Sequence, residues 1–424
     1  MENEREEFDF DALALRLGEV FTPSTAINQD DLFCGRRDPI RSIIDAINQR
    51  GRHAILFGEP GVGKTSLANI LATRLRASTG APPIAPHINC DSGDTYDSIW
   101  RKVFNSISFT DNKPVIGFSG DMRSGARTAA SFLPTPITPD SVRQMLEKVG
   151  QSALIYAILD EFDKIPDPKV RKLIADTIKL LSDRAVPATV ILVGVSDNVI
   201  GLIEDHQSIE RCLQQVQMPR MSREELQQIV VKGLERVGMT IEEPALREIT
   251  GLSKGLPHYT HLLGLHAARR ATDSHTTCVA QAHVKAALST AIRETQESIR
   301  TAYDLATYSA KKSIYKDVLL ACAMSNTDDL GQFLPASVSG PLSKILRRQY
   351  TVDKYSKHLH AFCDSDRGPV LRKMGSERRW RFRFANALMQ PYVLMKGLAE
   401  KVITETDLDL DMEASGQKKL WFSD

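Results

Sequence analysis

Gly58-Glu59-Pro60-Gly61-Val62-Gly63-Lys64-Thr65 fits G-x-x-x-x-G-K-[ST] at every fixed position, and reading this stretch decides the fold. Just before it, Ala54-Ile55-Leu56-Phe57 is a short apolar strand. Just after it, Leu67-Ala68-Asn69-Ile70-Leu71 has helical spacing. Strand, glycine loop and helix are the context in which this motif cradles phosphates. Backbone N–H groups close around the anion at a helix N-terminus whose dipole favours negative charge. The expected binding wall is Gly58, Glu59, Pro60, Gly61, Val62, Gly63, Lys64, Thr65 and the adjoining Ser66. Lys64 is expected on the β- and γ-phosphates and the Thr65 hydroxyl on Mg²⁺. The ligands implied are ATP and Mg²⁺.

A second stretch supplies the chemistry such a cradle needs. Leu154-Ile155-Tyr156-Ala157-Ile158-Leu159-Asp160-Glu161 is an apolar strand ending in two carboxylates. Asp160 is placed to hold Mg²⁺ through water, and Glu161 to polarise the attacking water for an in-line displacement. Further on, residues 189–193 form another buried strand that runs into Gly194-Val195-Ser196-Asp197-Asn198. Ligands of open parallel sheets bind beyond the strand carboxyl ends. Ser196 or Asn198 is therefore placed to touch the γ-phosphate or the water, unless the segment is a simple polar turn.

Outward from these motifs, strands at 54–57, 84–88, 154–159 and 189–193 alternate with helices, the pattern of a parallel α/β sheet. A Gly/Ser/Pro-rich polar stretch between Phe109 and Pro139 is expected to be a loop. The expected organisation is an arm over 1–30, an α/β nucleotide-binding core over 31–221 and a helical lid over 222–295. A C-terminal winged-helix domain over 296–400 and an acidic tail over 401–424 complete it. The lid reads as all helical, opening at the capping box Ser222-Arg223-Glu224-Glu225 and followed by a helical stretch over 280–300. Length of 424 residues, 42% hydrophobic and 25% charged composition fit a multi-domain globular protein. No run of 18 apolar residues occurs, so no membrane partner is expected. The acidic start, Met1-Glu2-Asn3-Glu4, is unlike a signal peptide. Six scattered cysteines without a C-x-x-C pair suggest reduced thiols, and the expected location is the cytoplasm.

The net charge of +1 conceals an asymmetry: residues 341–396 hold 13 Lys/Arg against 4 Asp/Glu. Such a segment suits a polyanion, or else a solvated face against an acidic partner. Within it, residues 367–374 and 379–384 read as a β-hairpin around Gly375-Ser376. In its second strand Trp380, Phe382 and Phe384 alternate with Arg379, Arg381 and Arg383. The aromatics are expected to bury against a helix, and the arginines to form an outer face for phosphates. Upstream, Val352, Tyr355, Leu359 and Phe362 line one face of a helix, with Lys354, Lys357 and His358 pointing elsewhere. A helix followed by such a hairpin is a winged-helix arrangement, which makes double-stranded DNA a candidate partner.

Taken in order, these motifs resemble AAA+ ATPases of the initiator and clamp-loader type, close to origin-recognition and bacterial transposition ATPases. The resemblance implies a homo-oligomer in the ATP state and assigns several further residues. Phe33-Cys34-Gly35-Arg36 is similar to the family box near the adenine, and Asn89 to the polar residue that restrains the catalytic glutamate. Asp160 and Glu161 match the Walker B pair, and Ser196 or Asn198 the sensor-1 position. Arg211 in Ile209-Glu210-Arg211-Cys212 maps to the arginine finger, with Arg220 as a rival. His258 stands where a sensor-2 arginine is expected. The same segment, Gly255-Leu256-Pro257-His258-Tyr259, resembles the GLP motif of STAND signalling ATPases, which implies the alternative of a switch acting on a separate effector protein without direct DNA binding.

Overall fold

The computed structural model describes residues 9–23, 25, 35–77, 83–110, 126–195, 209–311, 313–376, 379–404 and 406–407. Helix α1 (Phe10–Val20) starts at Asp9, whose carboxylate accepts the Ala12 N–H, and buries Leu13, Leu17 and Val20. Then come α2 (Arg37–Ile47), β1 (His53–Gly58), α3 (Lys64–Ala77), β2 (His87–Asn89) and α4 (Tyr96–Asn105). The expected loop over 109–139 holds more order than its composition suggests. Strands β3 (Ser108–Thr110) and β4 (Ala126–Thr128) pair antiparallel and lead into a 3-10 turn at Ala129–Phe132. The core continues with α5 (Pro139–Gly150), β5 (Ile155–Asp160), α6 (Pro168–Asp183), β6 (Ala188–Gly194) and β7 (Leu213–Met218).

Five strands form one parallel sheet in the order β2-β5-β6-β1-β7. Every residue of β5 and β6 is buried, because helices cover both faces, and this is why they read as unbroken apolar runs. Alternate residues serve two cores. Ala54, Leu56, Ile158 and Val193 face one, while Ile55, Ala157, Leu159 and Leu192 face the other, with α4, α5 and α6. Burying a large apolar side chain contributes roughly 1.5–3 kcal/mol, so each layer is held strongly. The first core does not stop at the sheet: it runs on through Leu263 and Tyr259 to Leu388 and Tyr392 near the carboxyl end.

The lid is α7 (Arg223–Arg236), β8 (Thr240–Ile241), α8 (Glu243–Ser253), α9 (Pro257–Asp273), β9 (Cys278–Val279) and α10 (Gln281–Glu294). Ser222 caps α7 in the expected box with Glu225. The lid is not all helical, since β8 and β9 form a two-residue parallel pair. Nor is 280–300 one helix: Thr295 turns to extended backbone (φ −60, ψ 141), and α11 (Glu297–Thr307) starts afresh. Helix α1 packs on α9 and α7, where Phe21 fills the space left by Gly233 and Gly264.

The last unit comprises α12 (Tyr315–Met324), α13 (Ser339–Ile345), α14 (Val352–Ala361), β10 (Leu371–Met374), β11 (Arg381–Phe384) and α15 (Met389–Ala399). Phe333, between α12 and α13, bridges antiparallel to Phe382. A helix, a bridging strand position, two more helices and a hairpin in this order make a winged helix, closed by α15. Tyr355, Leu359 and Phe362 are buried as expected. His358 is not turned outward: it is buried at 6% exposure, its ring edge-on to Tyr315 at 4.7 Å. One turn of helix carries both Tyr355 and His358 under α12, so the covered face is wider than the apolar spacing alone indicates. Among the described residues no helix is long and apolar enough to cross a membrane.

Candidate nucleotide site

The phosphate loop leaves β1 between its two sheet neighbours and turns into α3. Gly61 and Gly63 adopt φ of 81° and 93°, a region that disfavours side chains and lets the loop curl. Lys64 opens α3, its Nζ donating to the carbonyls of Gly58 (3.0 Å) and Glu59 (2.9 Å). Burial lowers its pKa, against the opposing pull of Asp163, Asp160, Glu59 and Glu161. Asp160 ends β5 in register with Asn89 of β2. Burial raises the Asp160 pKa, but hydrogen bonds from His87, Thr65 and the Glu161 N–H outweigh it and hold the carboxyl below its ordinary range. Thr65 and Asp160 therefore lie side by side as a hydroxyl and an ionised carboxylate. This oxygen pair fits a hard divalent cation.

Glu161 adopts φ 54°, a positive value uncommon for a non-glycine residue, which turns its side chain out of the sheet at the strand's end. Its carboxylate pairs with Lys164 at 2.8 Å and is not hydrogen-bonded to Asn89. Asn89 is exposed one position along from Cys90. His87, two residues earlier, places Nε2 3.4 Å from Asp160 Oδ2. Sequence reading passed over it, although His87 and Asn89 share one face of β2 by alternation. Asp163 was also missed: its Oδ1 accepts the Val195 N–H beyond β6. Ser196 and Asn198 lie outside the described residues, as do Phe33 and Cys34.

Arg36 is 3% exposed and spans the site's flank, donating to Val62 O at 2.7 Å and Pro219 O at 2.6 Å. Burial lowers its pKa to about 10, with Glu225 opposing. The same Glu225 accepts the Arg36 N–H, so the lid's capping residue also ties down this turn. His258 Nδ1 is 2.7 Å from Pro23 O, and burial lowers its pKa against that hydrogen bond, which favours a neutral ring. Arg211 is exposed in the turn before β7. Arg220 is no rival for a finger reaching a neighbour: its guanidinium is turned inward on Glu59 at 2.6 Å, both side chains under 10% exposed.

That ion pair belongs to a junction between loop, lid and wing. Arg220 also donates to Lys254 O and, at 2.6 Å, to Gln390 Oε1 of α15. Gln390 in turn donates to Ala323 O of α12. Leu388 rests on Gly61 so closely that a Cβ there would stand 2.8 Å from it. Tyr259 holds Leu388 in place by donating to its carbonyl at 2.8 Å. The GLP segment thus grips the wing through Tyr259, a contact the sequence did not signal.

The wing's charged residues divide. Lys354, Lys357 and Arg379 are exposed, and Arg381 is half-exposed beside Asp328 at 3.0 Å. Arg383 is buried at 5% exposure, contrary to the expected outer row. Alternation does put it opposite Phe382 and Phe384, but there the outer face lies against the phosphate loop. A larger cleft of about 1350 Å³ opens beside Arg36, Gln217 and Lys254, away from Gly58–Thr65.

A five-stranded parallel sheet with this loop, carboxylate pair, lid and winged helix defines a P-loop NTPase fold. Several solved structures are similar to it. A Walker-type ATPase of Pyrococcus abyssi matches at 13% identity and TM-score 0.50, covering 87% of this chain and 98% of that one. The ORC1 protein of Aeropyrum pernix in complex with DNA matches at 14% and 0.48, covering 90% and 97%. The RuvB Holliday junction branch migration motor of Thermotoga maritima matches at 14% and 0.41, covering 85% and 96%. The family model described as Novel STAND NTPase 1 matches residues 25–329, and the chain belongs to that family. No curated protein matches it by sequence.

Proposed function

We propose that this chain is an ATP-operated conformational switch whose moving part is the winged helix. One observation carries the reading: the phosphate loop is held directly by the wing, through Leu388 on Gly61 and through the Glu59–Arg220–Gln390 chain. Any change in the loop on nucleotide binding or hydrolysis must therefore repack the wing. Gly58 to Ser66 would hold the phosphates, with Arg36 and His258 on the lid side. Thr65 and Asp160 would hold Mg²⁺, which when bound neutralises phosphate charge. Glu161 would polarise the attacking water once released from Lys164, with Asn89 restraining it and Ser196 or Asn198 facing the γ-phosphate. Arg211, exposed, would complete a neighbouring copy's site in an ATP-state oligomer.

The output we favour is DNA engagement by the exposed wing cations Lys354, Lys357, Arg379 and Arg381. Control of a separate effector is the second reading, supported by the family match and by the wing's engagement with the loop. Fluorescence anisotropy on a DNA duplex at several salt concentrations, with a non-hydrolysable ATP analogue or with ADP, separates the two. DNA engagement predicts analogue-dependent binding that weakens steeply with salt. Absence of duplex binding in both states leaves the effector reading.

A further inference from the structure

Among the described residues no group of three or more His, Cys, Asp or Glu is placed to hold a metal ion by itself. A cation at Thr65 and Asp160 must therefore take most of its ligands from phosphates and water, and the aim of the one carboxylate matters the more. Asp160 is 2% exposed, and burial alone would disfavour its charge. Each of its oxygens meets a donor of the sheet. The Glu161 N–H reaches Oδ1 at 2.7 Å, and His87 Nε2 lies 3.4 Å from Oδ2. An ionised carboxylate only accepts, so in this contact Nε2 carries the proton.

The register explains how His87 arrives there. Strand β2 pairs with β5 so that His87 stands beside Ile158 and Asn89 beside Asp160. Alternation puts these four residues on one face, and His87 reaches diagonally toward the strand ends. The imidazole thus approaches Asp160 from the body of the sheet, while Thr65 approaches from the first turn of α3. The support of His87 is fixed by the protein alone. The Tyr156 N–H donates to Ile84 O at 2.9 Å, the Ile158 N–H to Pro86 O at 2.9 Å and the Cys90 N–H to Asp160 O at 2.8 Å. Just beyond β2, Lys102 pairs with the buried Asp94 at 2.7 Å and reaches Asn89 O at 3.4 Å.

We propose that His87 is a positioning residue for the divalent cation: its Nε2–H holds the Asp160 carboxylate in the orientation that meets the cation beside Thr65. The proposal rests on the nucleotide-switch reading above and deepens it. Groups that orient a metal-binding side chain from outside commonly contribute about 10–100-fold in metal affinity. At 3.4 Å this contact is long, so the lower end of that range is expected.

The test is titration of Mn²⁺, followed by electron paramagnetic resonance, into wild type, His87→Ala, His87→Asn and His87→Gln with a saturating fluorescent ADP analogue. The affinity of the analogue itself is measured separately in EDTA, and circular dichroism checks folding. His87→Ala is expected to lose ~10-fold in Mn²⁺ affinity, with analogue affinity in EDTA within about twofold. Gln carries an amide donor near the place of Nε2 and is expected to recover part of the loss, whereas Asn is too short to do so. Unchanged Mn²⁺ affinity in His87→Ala overturns the proposal. So does an equal loss of analogue affinity in EDTA, the mark of a contact that only seats the outer strand. Should His87→Ala unfold, the other two variants decide. Weaker Mn²⁺ binding by His87→Asn than by His87→Gln supports the role, and equal binding overturns it. Wild type that binds the analogue no better than Lys64→Ala, with or without metal, refutes the underlying nucleotide reading instead, so the two failures are told apart.

Discussion

At its tip, the β10–β11 hairpin exposes Arg379, half-exposes Arg381 beside Asp328, and lays Lys373 over the Trp380 ring at 3.7 Å from its centroid. At its base the face of Arg379 and Arg381 carries the pair Arg372 and Arg383, which line a cavity beside the phosphate loop, Arg372 exposed and Arg383 almost wholly buried. One strand, one alternation and one residue type thus meet two surroundings. The pleat decides on which side of the sheet an arginine emerges. Whether that side is water or protein depends on the docking of the whole domain. The difference separates a surface open to solvent from one that faces the core.

The sharpest way to break this division is at the core. Lys64→Ala is expected to cut nucleotide affinity by ~10³-fold, since it removes charged hydrogen bonds to two phosphates. Glu161→Gln is expected to bind ATP normally and to stop turnover, because only water activation is lost. Fluorescent-nucleotide titration and phosphate release measure the two effects. Wild-type turnover in Glu161→Gln would remove the catalytic assignment, and unaltered affinity in Lys64→Ala would remove the site.

The junction between base and core comes next. Arg220→Ala leaves Glu59 buried without its cation, and breaking such a pair typically costs about 3–5 kcal/mol. We expect a clear fall in the thermal or urea midpoint for Arg220→Ala. The double variant Glu59→Gln/Arg220→Met should recover much of it, because neither group is then left charged and unpaired. A surface-like effect below ~1 kcal/mol would mean that loop and wing are not coupled through this pair.

These residues also mark where sequence legibility ends. The phosphate loop was legible because every group it needs lies within nine consecutive residues, and its flanking strand and helix are local. Asp160 and Glu161 were legible because a fully buried strand leaves only its carboxyl end for charge. Strand β7 was not, since Leu213-Gln214-Gln215-Val216-Gln217-Met218 sits on the sheet edge and alternates with polar residues. His87 went unnamed, Tyr259 was read only as part of a motif and Arg383 as part of an outer face, for a shared reason: each gains its meaning from a neighbour far away in sequence. His87 meets Asp160, Tyr259 meets Leu388, and Arg383 meets the loop after β1. Composition gave the sign of the wing's charge but not its division between tip and base.

Arg211→Ala tests the contribution of a second copy. Arginine fingers acting in trans supply ~10³–10⁵ in other P-loop enzymes, and for a slow switch we expect a smaller loss, ~10–100-fold in turnover, with ATP affinity within a few-fold. Mixing Arg211→Ala with Glu161→Gln should recover activity, because one copy keeps the finger and the other the glutamate. No rescue, with light scattering showing a monomer in ATP, would remove the arginine-finger assignment of Arg211.

The smallest expected effect lies at the tip. Arg379→Ala/Arg381→Ala should leave folding intact, because these side chains are wholly or half exposed and the Arg381–Asp328 pair is a surface contact worth at most ~1 kcal/mol. Nucleotide affinity should be unchanged, in contrast to Lys64→Ala. If the tip touches DNA phosphates, each lost contact lowers the slope of log affinity against log salt by ~0.9, so the pair should remove ~1.8. The change should be nearly the same for unrelated duplex sequences, since phosphate contacts carry no direct base information. Anisotropy at several salt concentrations in the presence of the ATP analogue reads this directly. An unchanged slope would remove the tip from the DNA reading.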